Sequence, residues 1–176
     1  MDKILKEHFD RFMKKGNLPP EVDKLQGYTL FNDVEMLKLW RNNFKGIMYT
    51  DEKSGILLHG AIDNLLVKGK KLVVLDYKTR GFPLKDDTHE HYQLQMNIYN
   101  FLLRKSGYET EEYTYLLFYY PNKDLETGEV LFYTDLVKMK TSANDGEKMF
   151  LEAIKVLKGG EPKSSEKCGF CTWREE

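Results

Sequence analysis

Residues 60–80 read GAIDNLLVKGKKLVVLDYKTR. Two apolar runs, Leu65-Leu66-Val67 and Leu72-Val73-Val74-Leu75, flank Lys68-Gly69-Lys70-Lys71. A two-residue turn with glycine first is the type II′ pattern, because glycine takes positive φ without a Cβ clash. With Gly69 and Lys70 as the turn, Lys68 pairs with Lys71, and the ladder runs back to set Asp63 opposite Asp76. The Cβ atoms of such a pair lie ~5 Å apart. Lys78 is two residues past Asp76 and projects from the same face.

Two carboxylates facing each other on buried strands are costly, since like charges destabilise a sheet and burial deepens the penalty. A divalent cation offsets that cost most simply. Mg²⁺ uses one or two carboxylates and keeps water and substrate phosphate as its other ligands. A lysine beside it can hold phosphate or help to activate water. The plainer alternative is a hairpin with an ordinary Asp76–Lys78 ion pair, but its flanks are too apolar for a surface hairpin.

These residues carry a family resemblance. GAID followed by LDYKT resembles the PD-(D/E)XK nuclease motif, with Ile62-Asp63 in the place of Pro-Asp. It is similar to the RecB-like branch, which includes the CRISPR-associated RecB-like exonucleases. That branch has a Gln-x-x-x-Tyr motif on the next helix, matched here by Gln95-Met-Asn-Ile-Tyr99. The resemblance covers residues 60–121. It implies an α/β (mixed α+β) restriction-endonuclease-like core, a central mixed sheet flanked by helices. It also implies a divalent-metal-dependent deoxyribonuclease, an exonuclease on DNA ends or single strands, in repair, recombination or phage and defence DNA processing. By the same resemblance, Asp63, Asp76, the backbone carbonyl of Tyr77 and His8 would hold Mg²⁺ or Mn²⁺. Lys78 would orient or deprotonate the attacking water, and Gln95 and Tyr99 would grip DNA.

The totals agree with a soluble intracellular enzyme. The chain has 176 residues, 41% hydrophobic and 31% charged, with formal net charge −1. This length suits one domain with a real core. We expect a nuclease domain over residues 1–160 and a tail over 161–176. No run approaches the ~18 apolar residues of a membrane span. The first residues have no apolar signal core, so a cytoplasmic location is expected. Bulk charge does not announce nucleic acid; binding DNA would need local basic patches or a partner protein.

Along the chain, residues 2–15 read as a helix, with Leu5, Phe9, Phe12 and Met13 as its apolar stripe. His8 lies at the edge of that stripe. It is either the metal ligand or a histidine satisfied by a backbone carbonyl. Residues 17–31 read as a loop, and a second helix follows through Trp40, with Val34, Leu37 and Trp40 inward and Glu35 on a solvated face. A first strand is expected around 44–50. His59, four residues before Asp63, would share its face and is the rival ligand. Residues 79–88 form a loop in which Arg80 and Lys85 can lie over bound substrate. Residues 89–105 are the clearest helix, with Leu94, Ile98, Phe101 and Leu102 apolar and His91, Gln95 and Tyr99 stacked at intervals of four. An aromatic strand, 113–120, ends at Pro121. Residues 130–139 return antiparallel, and Ser142 caps a last helix with Met149, Phe150, Ile154 and Leu157 inward.

The tail carries Cys168-Gly-Phe-Cys171. C-x-x-C can be half a zinc site, a redox pair or part of an iron–sulfur site. RecB-like relatives add a cysteine about six residues later and one near the N-terminus; this sequence has neither, so no cluster is expected in this chain. The alternative to an enzyme is a DNA- or protein-binding scaffold that keeps the fold without its chemistry, or a nuclease active only in a larger complex.

Overall fold

The computed structural model describes residues 1–165 and 167–175, apart from the side chain of Glu175; Glu166 and Glu176, both in the expected tail, lie outside the described residues. The elements are α1 (Asp2–Met13), β1 (Tyr28–Leu30), α2 (Val34–Trp40), β2 (Ile47–Thr50), β3 (Leu57–Gly60), β4 (Asn64–Lys68), β5 (Lys71–Thr79), α3 (Gln93–Lys105), β6 (Tyr113–Asp124), β7 (Val130–Lys140), α4 (Ala143–Lys158) and α5 (Gly169–Glu175). Five strands form one mixed sheet in the order β1-β4-β5-β6-β7. All neighbours are antiparallel except β5 and β6, which run parallel through the α3 crossover.

The central hairpin forms as its sequence predicts. Gly69 has φ 60°, Lys68 pairs with Lys71, and the ladder runs to Asn64 opposite Leu75, one pair short of the expected Asp63–Asp76 pairing, so Asp63 lies just outside β4. β4 and β5 are buried on both faces. Leu65, Leu72 and Val74 join Met96, Phe101 and Leu102 under α3 and α4. Leu66, Val73, Leu75 and Tyr77 pack against Leu5, Phe9 and Met13 of α1. Each fully buried aliphatic side chain contributes roughly 1.5–3 kcal/mol, so the two-sided core outweighs turn propensity in fixing the hairpin. Register still matters: a slip of one residue would turn Asp76 and Lys78 to the other face.

Several expectations are corrected. The strand expected around 44–50 is β2, and it pairs with β3 in a separate two-stranded ribbon. The chain leaves strand geometry at residues 61–63, between β3 and β4. His59 therefore lies opposite Met48 in that ribbon and does not share a strand face with Asp63. β1, inside the expected loop, is only three residues long, too short to show a period. β6 runs through Pro121 to Asp124, with a register shift between Pro121 and Lys123. Pro121 lies near the protruding end of the β6–β7 ladder, where a missing N–H is tolerated. Val34, Leu94, Met149 and Leu157 are exposed, because the sheet takes a narrower face of each helix than hydropathy suggests. No helix among the described residues is long and apolar enough to cross a membrane.

Candidate active site

The site forms where β5 emerges from the sheet, at the open end of the β4–β5 hairpin. Alternation along β5 directs Val74, Asp76 and Lys78 towards α3 and buries Tyr77 on the opposite face, where its ring packs on Phe9 with centroids 4.8 Å apart. Asn64 Nδ2 donates to the Tyr77 hydroxyl at 2.8 Å, locking that ring. Asp63 lies one residue before β4. Its Oδ2 accepts from the Tyr77 backbone N–H at 3.0 Å, which ties the first acid to the peptide that follows the second.

Asp76 is 2% exposed. Burial raises its carboxyl from the ordinary 3.8 to about 6; the Asp63 charge adds to the rise, and Lys78 works against it. Lys78 Nζ lies 2.6 Å from Asp76 Oδ2. This is a buried ion pair, and no donor other than Lys78 reaches Oδ2 among the described residues. The ammonium also donates to Gln95 Oε1 at 2.9 Å and sits 4.4 Å from the Tyr92 ring centroid. Gln95 Nε2 donates to the Tyr99 hydroxyl at 2.8 Å, and Tyr99 donates to the Ala61 carbonyl at 2.7 Å. One hydrogen-bonded chain thus runs from Lys78 across α3 to the loop that carries Asp63. Burial, then the Asp76 and Asp63 charges, push the Tyr99 phenol up to about 12, so it stays a donor at neutral pH. Gly60 makes this docking possible: a Cβ there would stand 2.7 Å from Tyr99 Cε1.

A family model described as the PD-(D/E)XK nuclease superfamily matches residues 3–175. The chain belongs to that superfamily. Its members generally hydrolyse phosphodiester bonds in nucleic acids and typically use divalent metals such as Mg²⁺ or Mn²⁺. No curated protein matches the sequence. The superfamily assignment gives the two acids and the lysine a common chemical setting, and the residues present fit such an ion. Two carboxylates repel each other in a buried setting, and the Asp63 charge adds to the rise of the Asp76 carboxyl. Among the described residues no group of three His, Cys, Asp or Glu side chains gathers. Two carboxylates still suffice for Mg²⁺, which retains several waters.

The structure brings together Asp63, Asp76, Lys78, Gln95 and Tyr99. It does not bring His8 to the acids. His8 Nε2 lies 3.1 Å from Glu21 Oε1, and its ring meets Phe9 and Phe12 edge-on. Glu21 also accepts from the Tyr119 hydroxyl. His91 is exposed on a 3₁₀ turn, Thr88–Tyr92, ahead of α3, which breaks its stacking on Gln95. Glu35 is exposed on α2. Arg80 directly follows β5; its backbone N–H donates to Tyr119 O, and its guanidinium lies 4.7 Å from the Phe82 ring centroid.

The α1 residue that reaches an acid is Lys6. Lys6 Nζ lies 3.1 Å from Asp63 Oδ1. Residues 6 and 8 are about 200° apart around a helix, so α1 cannot turn both to one acid. Arg41, after α2, donates from Nε to the Asp63 carbonyl at 2.7 Å and from Nη1 to both Asp10 oxygens at 2.9 and 3.0 Å. Sequence reasoning missed both. The available signal was the polar stripe Asp2, Lys6, Asp10 on α1, which reads equally as a solvated face. Cys168 and Cys171 lie in the tail at α5, both half-buried and free.

Proposed function

We propose that the chain is a DNA exonuclease of the RecB-like type, acting on DNA ends or single strands in repair, recombination or phage and defence DNA processing. The observation that carries this reading is the pairing of Asp63 with a buried Asp76 beside Lys78. Asp63 and Asp76, with the Tyr77 carbonyl, would hold Mg²⁺ or Mn²⁺. The bound ion would supply the charge that polarises the scissile phosphate and acidifies water. Lys78 then orients the attacking water and stabilises negative charge on the phosphoryl oxygens. Gln95 fixes the lysine: its carbonyl takes one ammonium proton and Asp76 a second, which leaves one for water or phosphate. Tyr99 holds Gln95 in register and anchors the Asp63 loop. Arg80, at the exit of β5, binds the phosphate of the incoming strand.

Net charge −1 supports a second reading, in which a partner protein adds basic surface to that of this chain. End-labelled single- and double-stranded DNA with Mn²⁺, Mg²⁺ or EDTA tests both. Metal-dependent shortening from an end, lost in Asp76→Ala and Lys78→Ala, supports the exonuclease. DNA binding by the wild type with no cleavage under either metal would sink it in favour of a scaffold or a partner-dependent enzyme.

A further inference from the structure

Each acid of the site has its own ammonium. Lys78 attends Asp76, and Lys6 attends Asp63. The second pairing is not incidental to the surface, since the Lys6 and Asp63 side chains are 18% and 17% exposed. Asp63 has one oxygen committed to the Tyr77 N–H, so Oδ1 is the oxygen left for any other partner. Lys6 Nζ sits on that oxygen.

We propose that Lys6 is a built-in counter-cation for Asp63 that yields its place when a divalent ion binds. The proposal rests on the metal-dependent reading above. Two features let Lys6 leave without being stranded. Asp2 holds the same ammonium at 2.9 Å and remains available when Asp63 is taken. Lys6 also borders a cavity of about 360 Å³ lined by Asp10, Lys38 and Arg41, so its flexible side chain has room to move. Arg41 and the Tyr77 N–H keep Asp63 in place meanwhile, because neither contact uses Oδ1. Lys6 is thus a positioning residue. It neutralises an acid that would otherwise repel Asp76, and by the same contact it competes with the ion.

The test measures metal binding and melting rather than cleavage. Lys6→Met removes the charge while keeping the length of the side chain; Lys6→Arg keeps the charge. With wild type and both variants at pH 8, Mn²⁺ affinity is read by EPR and unfolding by thermal melts with and without Mn²⁺. We expect Lys6→Met to bind Mn²⁺ about tenfold tighter and to melt lower than wild type when metal-free. The melting gap should close in saturating Mn²⁺, and Lys6→Arg should follow wild type. A merely structural lysine would leave the gap unchanged by metal. Unchanged or weaker Mn²⁺ binding in Lys6→Met, or a gap that persists, overturns the proposal. If Lys6→Met does not fold, ¹⁵N NMR of the wild-type lysine ammoniums decides: a Lys6 signal that moves with Mg²⁺ supports displacement, and one that does not overturns it. Binding indifferent to residue 6 removes this inference alone. No Mn²⁺ binding by any of the proteins removes the metal-dependent reading with it.

Discussion

Replacing Asp76 with asparagine should stabilise the metal-free protein. An acid raised from 3.8 to about 6 on folding is one the fold prefers neutral. Its contribution to stability is fully present below pH 3.8 and is lost as pH rises through about 6. At 1.36 kcal/mol per pH unit the loss is about 3 kcal/mol at pH 8. That figure is already net of the attraction from Lys78, the main opposing charge. Asparagine is neutral at every pH, has nearly the same shape, and keeps an oxygen for Lys78. Asp76→Asn should therefore gain about 1–3 kcal/mol at pH 8, a rise of about 3–10 °C in Tm for a chain of this size. The gain should fall to about 0.5 kcal/mol by pH 4, where folded Asp76 is protonated but the unfolded carboxyl is still partly ionised. Melts in EDTA at half-unit steps from pH 4 to 8 measure it directly. In saturating Mn²⁺ the order should reverse, because only the wild type has both carboxylates. Destabilisation by Asp76→Asn in EDTA at pH 8, or a gain that does not depend on pH, would refute the reasoning.

Three further outcomes follow from the same geometry. Mn²⁺ affinity of the wild type should fall about tenfold for each pH unit below about 6, because the ion binds ionised Asp76; EPR titration from pH 5 to 8 checks this. Tyr99→Phe removes the donor to the Ala61 carbonyl and the acceptor for Gln95, and should cost about 1–3 kcal/mol in urea unfolding while lowering kcat through a less constrained Lys78. Gly60→Ala forces a methyl to within 2.7 Å of the Tyr99 ring and should destabilise by about 1–3 kcal/mol; Gly60→Ala combined with Tyr99→Leu should recover part of that loss, and failure to recover it would point away from the ring as the obstacle.

What the sequence determined by itself is local or periodic. Gly69 between two apolar runs sets the turn, period two along β5 puts Asp76 and Lys78 on one face, and period 3.6 along α3 aligns Gln95 with Tyr99. Each follows from backbone geometry over a few residues, and the residues so placed resemble the motif of the superfamily whose model matches the chain. The tertiary structure decided which distant residues meet these. Lys6 and His8 sit on the same helix, and nothing within that helix says which one faces Asp63. The choice is made by how Leu5, Phe9 and Met13 seat α1 on the sheet, which turns Lys6 towards Asp63 and leaves His8 against Glu21. The break at residues 61–63 likewise frees His59 from the acid's strand and lets Arg41 reach the Asp63 carbonyl. The rise in the Asp76 carboxyl is of the same kind. It depends on how completely the sheet and its helices exclude water, a sum over many elements that no short stretch of sequence contains.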